Sequence, residues 1–239
     1  MNVLGALFPL QQISEKSDNS IDLHEFLPRL FPFAHLSLLR GDADQCFRSL
    51  LFQVSVSYAS IGKRVKFYTP TPLTTIPPLV HNFIPSPVAT AHLDLIEFHY
   101  LPSLRDVLKH LVDSSADIFI IDGYLEFPVS TEHDRYQIHA ACALLRDTYD
   151  YVKQKIENPN LVLVCSCTCA DPSIANVEQQ GLFDLGVNIE MMENGDYSLK
   201  THSPLKPTTS FSIHFRMGSN EIIPLTTFIN LFDTVAVIV

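Results

Sequence analysis

Positive charge is scarce in this sequence. Its 239 residues include 16 lysines and arginines against 26 aspartates and glutamates, which gives a formal net charge of −10. Nucleic-acid binding draws most of its energy from the neutralisation of phosphates. We therefore expect single-stranded DNA to be bound weakly, or only in a complex whose other subunit supplies positive charge.

Long hydrophobic runs and a cysteine framework are missing as well. No stretch approaches the roughly 20 apolar residues of a membrane span. The apolar start "MNVLGALFPLQQ" is too short and uncharged for a signal peptide. The five cysteines are an odd number without an extracellular disulfide framework. These absences predict no membrane partner and reduced thiols in the cytosol or the nucleus.

The chain has no tryptophan, yet 46% of its residues are hydrophobic, which is enough for a large buried core. Its length suits one α/β domain with a modest extension. We predict an N-terminal extension over residues 1–34 and a core domain over residues 35–239.

Strands and helices alternate over most of that core. Apolar runs predict strands at 35–40, 64–69, 93–100, 116–122 and 160–166. Helical spacing of apolar residues predicts helices at 46–61, 101–111 and 138–156. The later stretches "VNIEMMENGDYSLK" and "FSIHFRMGSNEIIPL" carry turn signals and predict antiparallel hairpins. The expected fold class is α/β, with a mostly parallel sheet extended by C-terminal antiparallel strands.

A proline-rich segment interrupts this alternation at residues 70–87. It holds six prolines, which remove backbone donors and disfavour regular structure. We interpret it as a long loop of the kind that often contacts a partner.

The stretch "LLRGDADQCFRSLLFQ" (38–53) has the shape of a phosphate-binding loop but lacks its chemical groups. Such a loop has the form G-x-x-x-x-G-K-[ST] and leads into a helix. With Gly41 at the first glycine, Cys46 falls at the second glycine, Phe47 at the lysine and Arg48 at the Ser/Thr position. The spacing is kept, and the groups that neutralise phosphate and bind magnesium are replaced.

These replacements argue against nucleotide binding. Phe47 supplies no charge, and Arg48 cannot ligate a magnesium ion. Asp42 and Asp44 place carboxylates near a helix N-terminus, where they are favoured and would repel a triphosphate. Taken alone, the stretch favours a plain strand–turn–helix with an aspartate cap. ATP is therefore not expected as a cofactor.

A second motif lies further along the chain. "DIFIIDGYLEF" is an apolar strand that ends in Asp122, the pattern in which an acid reaches magnesium through water in P-loop ATPases. Two predicted strands separate it from the candidate loop, and the strand that follows it ends in small polar residues. That order is typical of RecA-type ATPase cores. The catalytic glutamate expected after the second strand is missing from "FYTPTPL".

Several stretches together resemble one family of RecA-like proteins. They are "SLLFQ", "RVKFYTPTPL", "IEFHYLPSLRDVLKHL", "IFIIDGYLE" and "FSIHFRMGSNEIIPL", in order over roughly residues 35–225. The succession is similar to the RecA-like recombinase paralogue that pairs with a SWIM-type zinc-finger protein in the animal Shu complex. The resemblance implies a RecA-like P-loop ATPase fold. Vertebrate relatives have an intact phosphate loop, from which this chain departs at Cys46, Phe47 and Arg48.

The resemblance also implies a function. Members support homologous recombination by stabilising recombinase filaments on single-stranded DNA, so the expected partners are a SWIM-type zinc-finger protein and a recombinase, and the expected location is the nucleus. We expect this chain to be a non-catalytic, degenerate ATPase acting as an adaptor. The alternatives are a P-loop ATPase or kinase with a divergent loop, and an unrelated α/β binding protein.

Two small groups of residues are candidates for macromolecular contacts. Lys63, Arg64 and Lys66 form the densest basic cluster and are candidate DNA contacts, although a solvated corner between a helix and a strand is the plainer interpretation. Phe31 and Ala34 in "FPFA" fit the F-x-x-A pattern by which one recombinase protomer adds a strand to the sheet of its neighbour. They are candidate partner contacts.

The cysteine-rich stretch "CSCTC" does not have the pattern of a metal site. Cys165, Cys167 and Cys169 alternate, so one face of a strand would carry all three. Structural zinc sites use spaced pairs, and no second pair follows. We predict buried small side chains and no metal.

Overall fold

The computed structural model describes most of the chain, with gaps. The described residues are 3–7, 32, 34–41, 44–80, 91–124, 134–168, 180–205, 209–219, 221–231 and 234–238. Within them the helices are α1 (Val3–Leu7), α2 (Asp44–Ala59), α3 (Leu104–Asp113) and α4 (Asp134–Lys155), with a 3₁₀ helix at Ala91–Leu95. The first half of the chain supplies strands β1 (Leu36–Gly41), β2 (Val65–Thr69), β3 (Leu79–Val80), β4 (Ile96–Tyr100) and β5 (Ile118–Ile121). The second half supplies β6 (Val162–Cys167), β7 (Leu185–Met191), β8 (Tyr197–His202), β9 (Thr209–Met217), β10 (Glu221–Leu231) and β11 (Thr234–Ile238).

All of these strands belong to one sheet. Its order is β11-β10-β9-β8-β7-β1-β6-β5-β2-β4, and β3 pairs with β10 outside this path. The six strands from β7 to β4 pair in parallel, whereas β7 to β11 pair as antiparallel neighbours. The predicted mostly parallel sheet with C-terminal antiparallel strands is confirmed.

The central parallel strands are apolar because both of their faces are covered. All four residues of β5 and all six of β6 are buried. One core contains α1, α2 and residues of the antiparallel strands. The other contains α3 and α4. Helices on both faces of a parallel sheet explain the unbroken apolar runs in the sequence.

Local signals set the helix ends. Ser103 precedes α3, and its side chain accepts a hydrogen bond from the backbone N–H of Asp106 at 3.2 Å, which caps the helix. After α2 the chain turns at Gly62, whose φ of +78° favours glycine. Ile61 was predicted on the apolar face of α2, but it lies in the turn beyond the helix and is 54% exposed.

Two segments differ from the sequence-based expectation. Residues 93–100 were predicted as one strand, whereas the chain forms a 3₁₀ helix before β4 begins at Ile96. The proline-rich segment contains the two-residue strand β3, which pairs in parallel with the start of β10. Such a short pairing uses only the proline-free pair Leu79–Val80.

The predicted hairpins are present. The β7–β8 turn contains Gly195 at φ +81°, and β9 turns into β10 at Gly218. Arg216 donates two hydrogen bonds to Asp196, at 2.6 and 3.1 Å, and thereby ties the β7–β8 turn to β9. The β7–β8 hairpin begins the antiparallel half of the sheet, and the β9–β10 hairpin extends it.

The predicted N-terminal extension contains one described helix. All five residues of α1 are buried, and the Ser57 hydroxyl of α2 donates to the carbonyl of Ala6 at 2.8 Å. The helix therefore packs on the core domain. The predicted boundary between residues 34 and 35 stays a prediction.

Candidate nucleotide site

The candidate site lies where the parallel strands end. β1 leads through Gly41 towards α2, and Asp122 directly follows β5. Thr69 ends β2, and Ser166 is near the end of β6. Because carboxyl ends of parallel strands share one edge of a sheet, these residues meet there, as they would in a nucleotide-binding α/β protein.

Gly41 is required by the packing of the sheet. It has a φ of +148°, and a Cβ added to it would lie 1.8 Å from the carbonyl oxygen of Ile189 on β7. Real Cβ atoms do not approach a backbone atom this closely, so only glycine fits. The glycine that begins the phosphate-loop pattern therefore has a structural reason that involves no phosphate.

The next two positions of the pattern turn towards the core. Cys46 and Phe47 are buried, and both belong to the core that contains α1 and α2. Burial raises the pKa of the Cys46 thiol well above its ordinary value. Phe47, which stands where lysine would neutralise phosphate, offers neither a charge nor a polar group.

Arg48 forms an ion pair with Asp122. Its Nε donates to a carboxylate oxygen of Asp122 at 2.7 Å, and the two side chains are 38% and 7% exposed. The hydroxyl of Thr69 lies 3.3 Å from the same oxygen and can donate either to it or to the carbonyl of Thr71 at 3.0 Å. The hydroxyl of Ser166 donates to the other oxygen at 3.4 Å. The nearly buried carboxylate thus contacts one cation and two hydroxyls.

The backbone around Asp122 is held as well. Its N–H donates to the carbonyl of Tyr68 at 2.8 Å, and the N–H of Gly123 donates to the Ser166 hydroxyl at 2.9 Å. Arg48 also reaches beyond Asp122, because its Nη2 donates to the Thr71 hydroxyl at 3.4 Å. One arginine therefore connects α2, the end of β5 and the start of the proline-rich segment.

A pocket of about 770 Å³ opens beside this ion pair. The start of α2, the proline-rich segment, the ends of β5 and β6, and the β9–β10 turn form its walls. Hydroxyl groups of Thr74, Thr75, Ser166, Thr168 and Ser219 belong to the lining residues. Among the described lining residues, Arg48 is the one arginine and is paired with Asp122, so this part of the lining is neutral and polar.

The residues at this site do not fit a magnesium–nucleotide complex. A bound magnesium ion needs the acidic group that Arg48 already neutralises, and a hydroxyl at the position of Arg48. The phosphates need a lysine where the chain has the buried Phe47. In place of a metal ion, the Asp122 carboxylate has the Arg48 guanidinium as its close positive charge among the described residues.

The candidate DNA contacts lie at the opposite end of β2. Lys63 pairs with Asp117 at 3.6 Å, and Lys66 pairs with Glu97 at 3.3 Å. Arg64 is exposed, and its backbone N–H donates to Asp117 at 3.0 Å. Acidic neighbours thus offset much of the charge of this cluster, which does not join the Arg48–Asp122 site.

The remaining candidate residues are either buried in the core or lie outside the described residues. Ala34 is buried in the chain's own core, and Phe31 lies outside the described residues. Cys165 and Cys167 are buried, and Cys169 lies outside the described part of the chain. Among the described residues, no group of three or more His, Cys, Asp or Glu side chains is placed to hold a metal. No described helix is long and apolar enough to cross a membrane.

Sequence reasoning missed the polar partners of the ion pair. Thr69, Thr71 and Ser166 are ordinary hydroxyl residues at strand ends, and nothing in their local sequence marks them. The available signal was positional, since β2, β5 and β6 are neighbours in a parallel sheet. Small polar residues that follow each of these strands are therefore expected to meet.

A histidine pair was also missed. The rings of His99 on β4 and His110 on α3 lie 4.4 Å apart, and the Tyr68 hydroxyl lies 3.0 Å from Nδ1 of His110. Burial is the main cause that lowers the pKa of both histidines, and the nearby charge of Lys66 acts in the same direction. This arrangement favours neutral imidazoles packed between the sheet and the helix.

Comparison with known proteins identifies the fold. No protein-family model matches the sequence, and no curated protein matches it either. The crystal structure of the flagellar accessory protein FlaH from Methanocaldococcus jannaschii is similar, with a TM-score of 0.51 and 12% sequence identity. The match covers 92% of this chain and 97% of that chain. At this identity the likeness concerns the fold alone, and FlaH is a RecA-like protein. This chain therefore has a mixed α/β, RecA-like fold.

Proposed function

We propose that this chain is a non-catalytic, RecA-like adaptor subunit of a Shu-type complex. In this function it binds a SWIM-type zinc-finger protein and supports the assembly of recombinase filaments on single-stranded DNA during homologous recombination. The chain would act in the nucleus and would need no ATP.

The Arg48–Asp122 ion pair is the observation that carries the non-catalytic part of the proposal. An ATPase of this fold needs the acid free to organise a magnesium ion. Here the acid is 7% exposed and accepts a 2.7 Å hydrogen bond from a guanidinium. A metal could bind Asp122 only if this ion pair first separated. That separation would leave a nearly buried carboxylate without its counter-charge, which is unfavourable. This geometry favours a site that the ion pair blocks permanently over a site that is able to bind nucleotide.

An active P-loop ATPase or kinase is a weaker explanation. It would require another cation for the phosphates, because Phe47 is buried in the core. The described lining of the pocket supplies none, since the one arginine in it is already paired with Asp122. A protein that keeps a RecA-like sheet without these groups is better suited to binding other proteins.

The assignment to a Shu-type complex is supported by the order of sequence motifs over roughly residues 35–225. The net charge of −10 agrees with a subunit that relies on a partner for contact with DNA. Within the described residues, the paired state of Lys63 and Lys66 points the same way.

Co-expression with a SWIM-type zinc-finger protein tests this function. We expect the two chains to purify as a stable complex, and the chain expressed alone to be recovered poorly. The complex, unlike the isolated chain, should bind single-stranded DNA with an affinity that falls steeply with salt. Recovery of a monodisperse chain that does not bind the zinc-finger protein would contradict the proposal.

A further inference from the structure

The segment of residues 70–80, which we call the strap, is unusual in composition. Its sequence, PTPLTTIPPLV, contains four prolines and no charged residue, within a chain of net charge −10. Each proline fixes its own φ and restricts the residue before it. The strap therefore loses less conformational entropy on binding than an ordinary loop of the same length.

Both ends of the strap are held by α2. At the first end, Nη2 of Arg48 donates to the Thr71 hydroxyl at 3.4 Å. At the second end, the N–H of Val80 donates to the buried side-chain oxygen of Gln53 at 2.8 Å. Strand β3 at this end also pairs with β10. The strap is a loop fixed at two points on a helix that is itself packed in the core.

Ile76 projects from the middle of this fixed loop. It is 83% exposed, more than any other large apolar side chain among the described residues. The next residue, Pro77, is buried and lines the pocket; Thr74 and Thr75 also line the pocket but are exposed. Ile76 is thus an exposed apolar side chain directly beside the buried Pro77.

We propose that the strap is a preformed partner-binding element that inserts Ile76 into an apolar, aromatic-lined groove of a second protein. Proline-rich segments are recognised in this way, because aromatic side chains pack well on proline rings and on an isolated aliphatic anchor. The strap's lack of charge matches an apolar groove and would disfavour a charged surface. This inference rests on the proposed adaptor function and names its contact surface. It also gives the Arg48–Asp122 pair a structural purpose, since the same arginine fixes the strap.

The absence of tryptophan from the chain permits a direct test of the strap itself. Ile76→Trp introduces a single indole at the tip. We expect the emission of a water-exposed indole with the slow depolarisation of a side chain on a rigid loop. Ile61→Trp is the control, because Ile61 is also exposed, at 54%, but lies outside the strap. Emission typical of a buried indole at position 76, or fast local motion there, would overturn the inference.

Binding is tested with the SWIM-type zinc-finger protein named above. Ile76→Asp should weaken the complex about ten- to a hundredfold, as the loss of a buried apolar anchor does, whereas Ile61→Asp should leave it unchanged. In the complex, the emission from Ile76→Trp should shift to the blue. A wild-type chain that forms no complex with that partner would overturn the proposed function and this inference together. A wild-type complex that Ile76→Asp leaves intact would overturn the inference alone.

Discussion

Replacing Arg48 with methionine removes the cation that holds Asp122 while keeping most of the apolar stem. The carboxylate of Asp122, 7% exposed, would keep its contacts with the hydroxyls of Thr69 and Ser166 but lose its only close positive charge among the described residues. The Thr71 hydroxyl would lose a donor at the same time. The variant therefore leaves a nearly buried charge incompletely compensated.

The magnitude follows from the exposure of the pair. Breaking a fully buried ion pair costs about 3–5 kcal/mol, and a hydrogen bond to a charged group contributes about 1.5–3 kcal/mol. Solvent screens Arg48, whose side chain is 38% exposed, so the lower end applies. We expect a loss of about 2 kcal/mol in the free energy of unfolding, which corresponds to a fall in Tm of about 4–8 °C.

Urea unfolding of the wild type, Arg48→Met, Asp122→Asn and the double variant measures this loss and the pairwise coupling. The coupling energy should be at least about 1 kcal/mol. Lys63→Met is the matched control, since the Lys63–Asp117 pair is exposed at 48% and 26% and should contribute less than about 1 kcal/mol. Equal effects of Arg48→Met and Lys63→Met, or no coupling in the double variant, would refute the idea that Asp122 depends on Arg48.

Three further predictions concern the sheet, the histidine pair and DNA. Gly41→Ala should destabilise the protein by more than about 3 kcal/mol in urea unfolding because its Cβ meets the carbonyl of Ile189, whereas Gly62→Ala, at φ +78° in open space, should cost only about 1 kcal/mol. The lowered pKa values of His99 and His110 mean that the unfolded chain binds protons more readily, so the free energy of unfolding should fall as pH drops through about 6.5. Urea midpoints measured across this range should change less in a double His→Gln variant, and an unchanged pH dependence would contradict the assignment. Fluorescence anisotropy with a labelled oligonucleotide should detect weak or no binding of single-stranded DNA by the isolated chain, and tight binding at physiological salt would be the contrary result.

The sequence was most informative where one physical rule decides the structure. Unbroken apolar runs predicted the buried strands β5 and β6, because only strands covered on both faces can be apolar throughout. The turn at Gly195 was predictable because few other residues accept its φ of +81°. At 93–100, in contrast, strand-like composition did not reveal that the chain first forms a 3₁₀ helix.

The candidate site could be located from the sequence, but its chemistry could not be completed. The spacing from Gly41 and the acid after β5 indicated which residues belong together. The direct contact between Arg48 and Asp122 depends on tertiary geometry, because 74 positions separate them in the chain. The role of Thr71 depends on the path of the strap, which no local pattern specifies.

We propose that Arg48 closes the candidate nucleotide site by pairing with Asp122. Isothermal titration of the purified protein, alone and in its complex, with magnesium–ATP measures whether this site binds nucleotide. We predict no saturable heat at micromolar ATP, because Phe47 supplies no phosphate ligand and Arg48 holds the acid that a magnesium ion would need. Saturable binding with a micromolar Kd would contradict it.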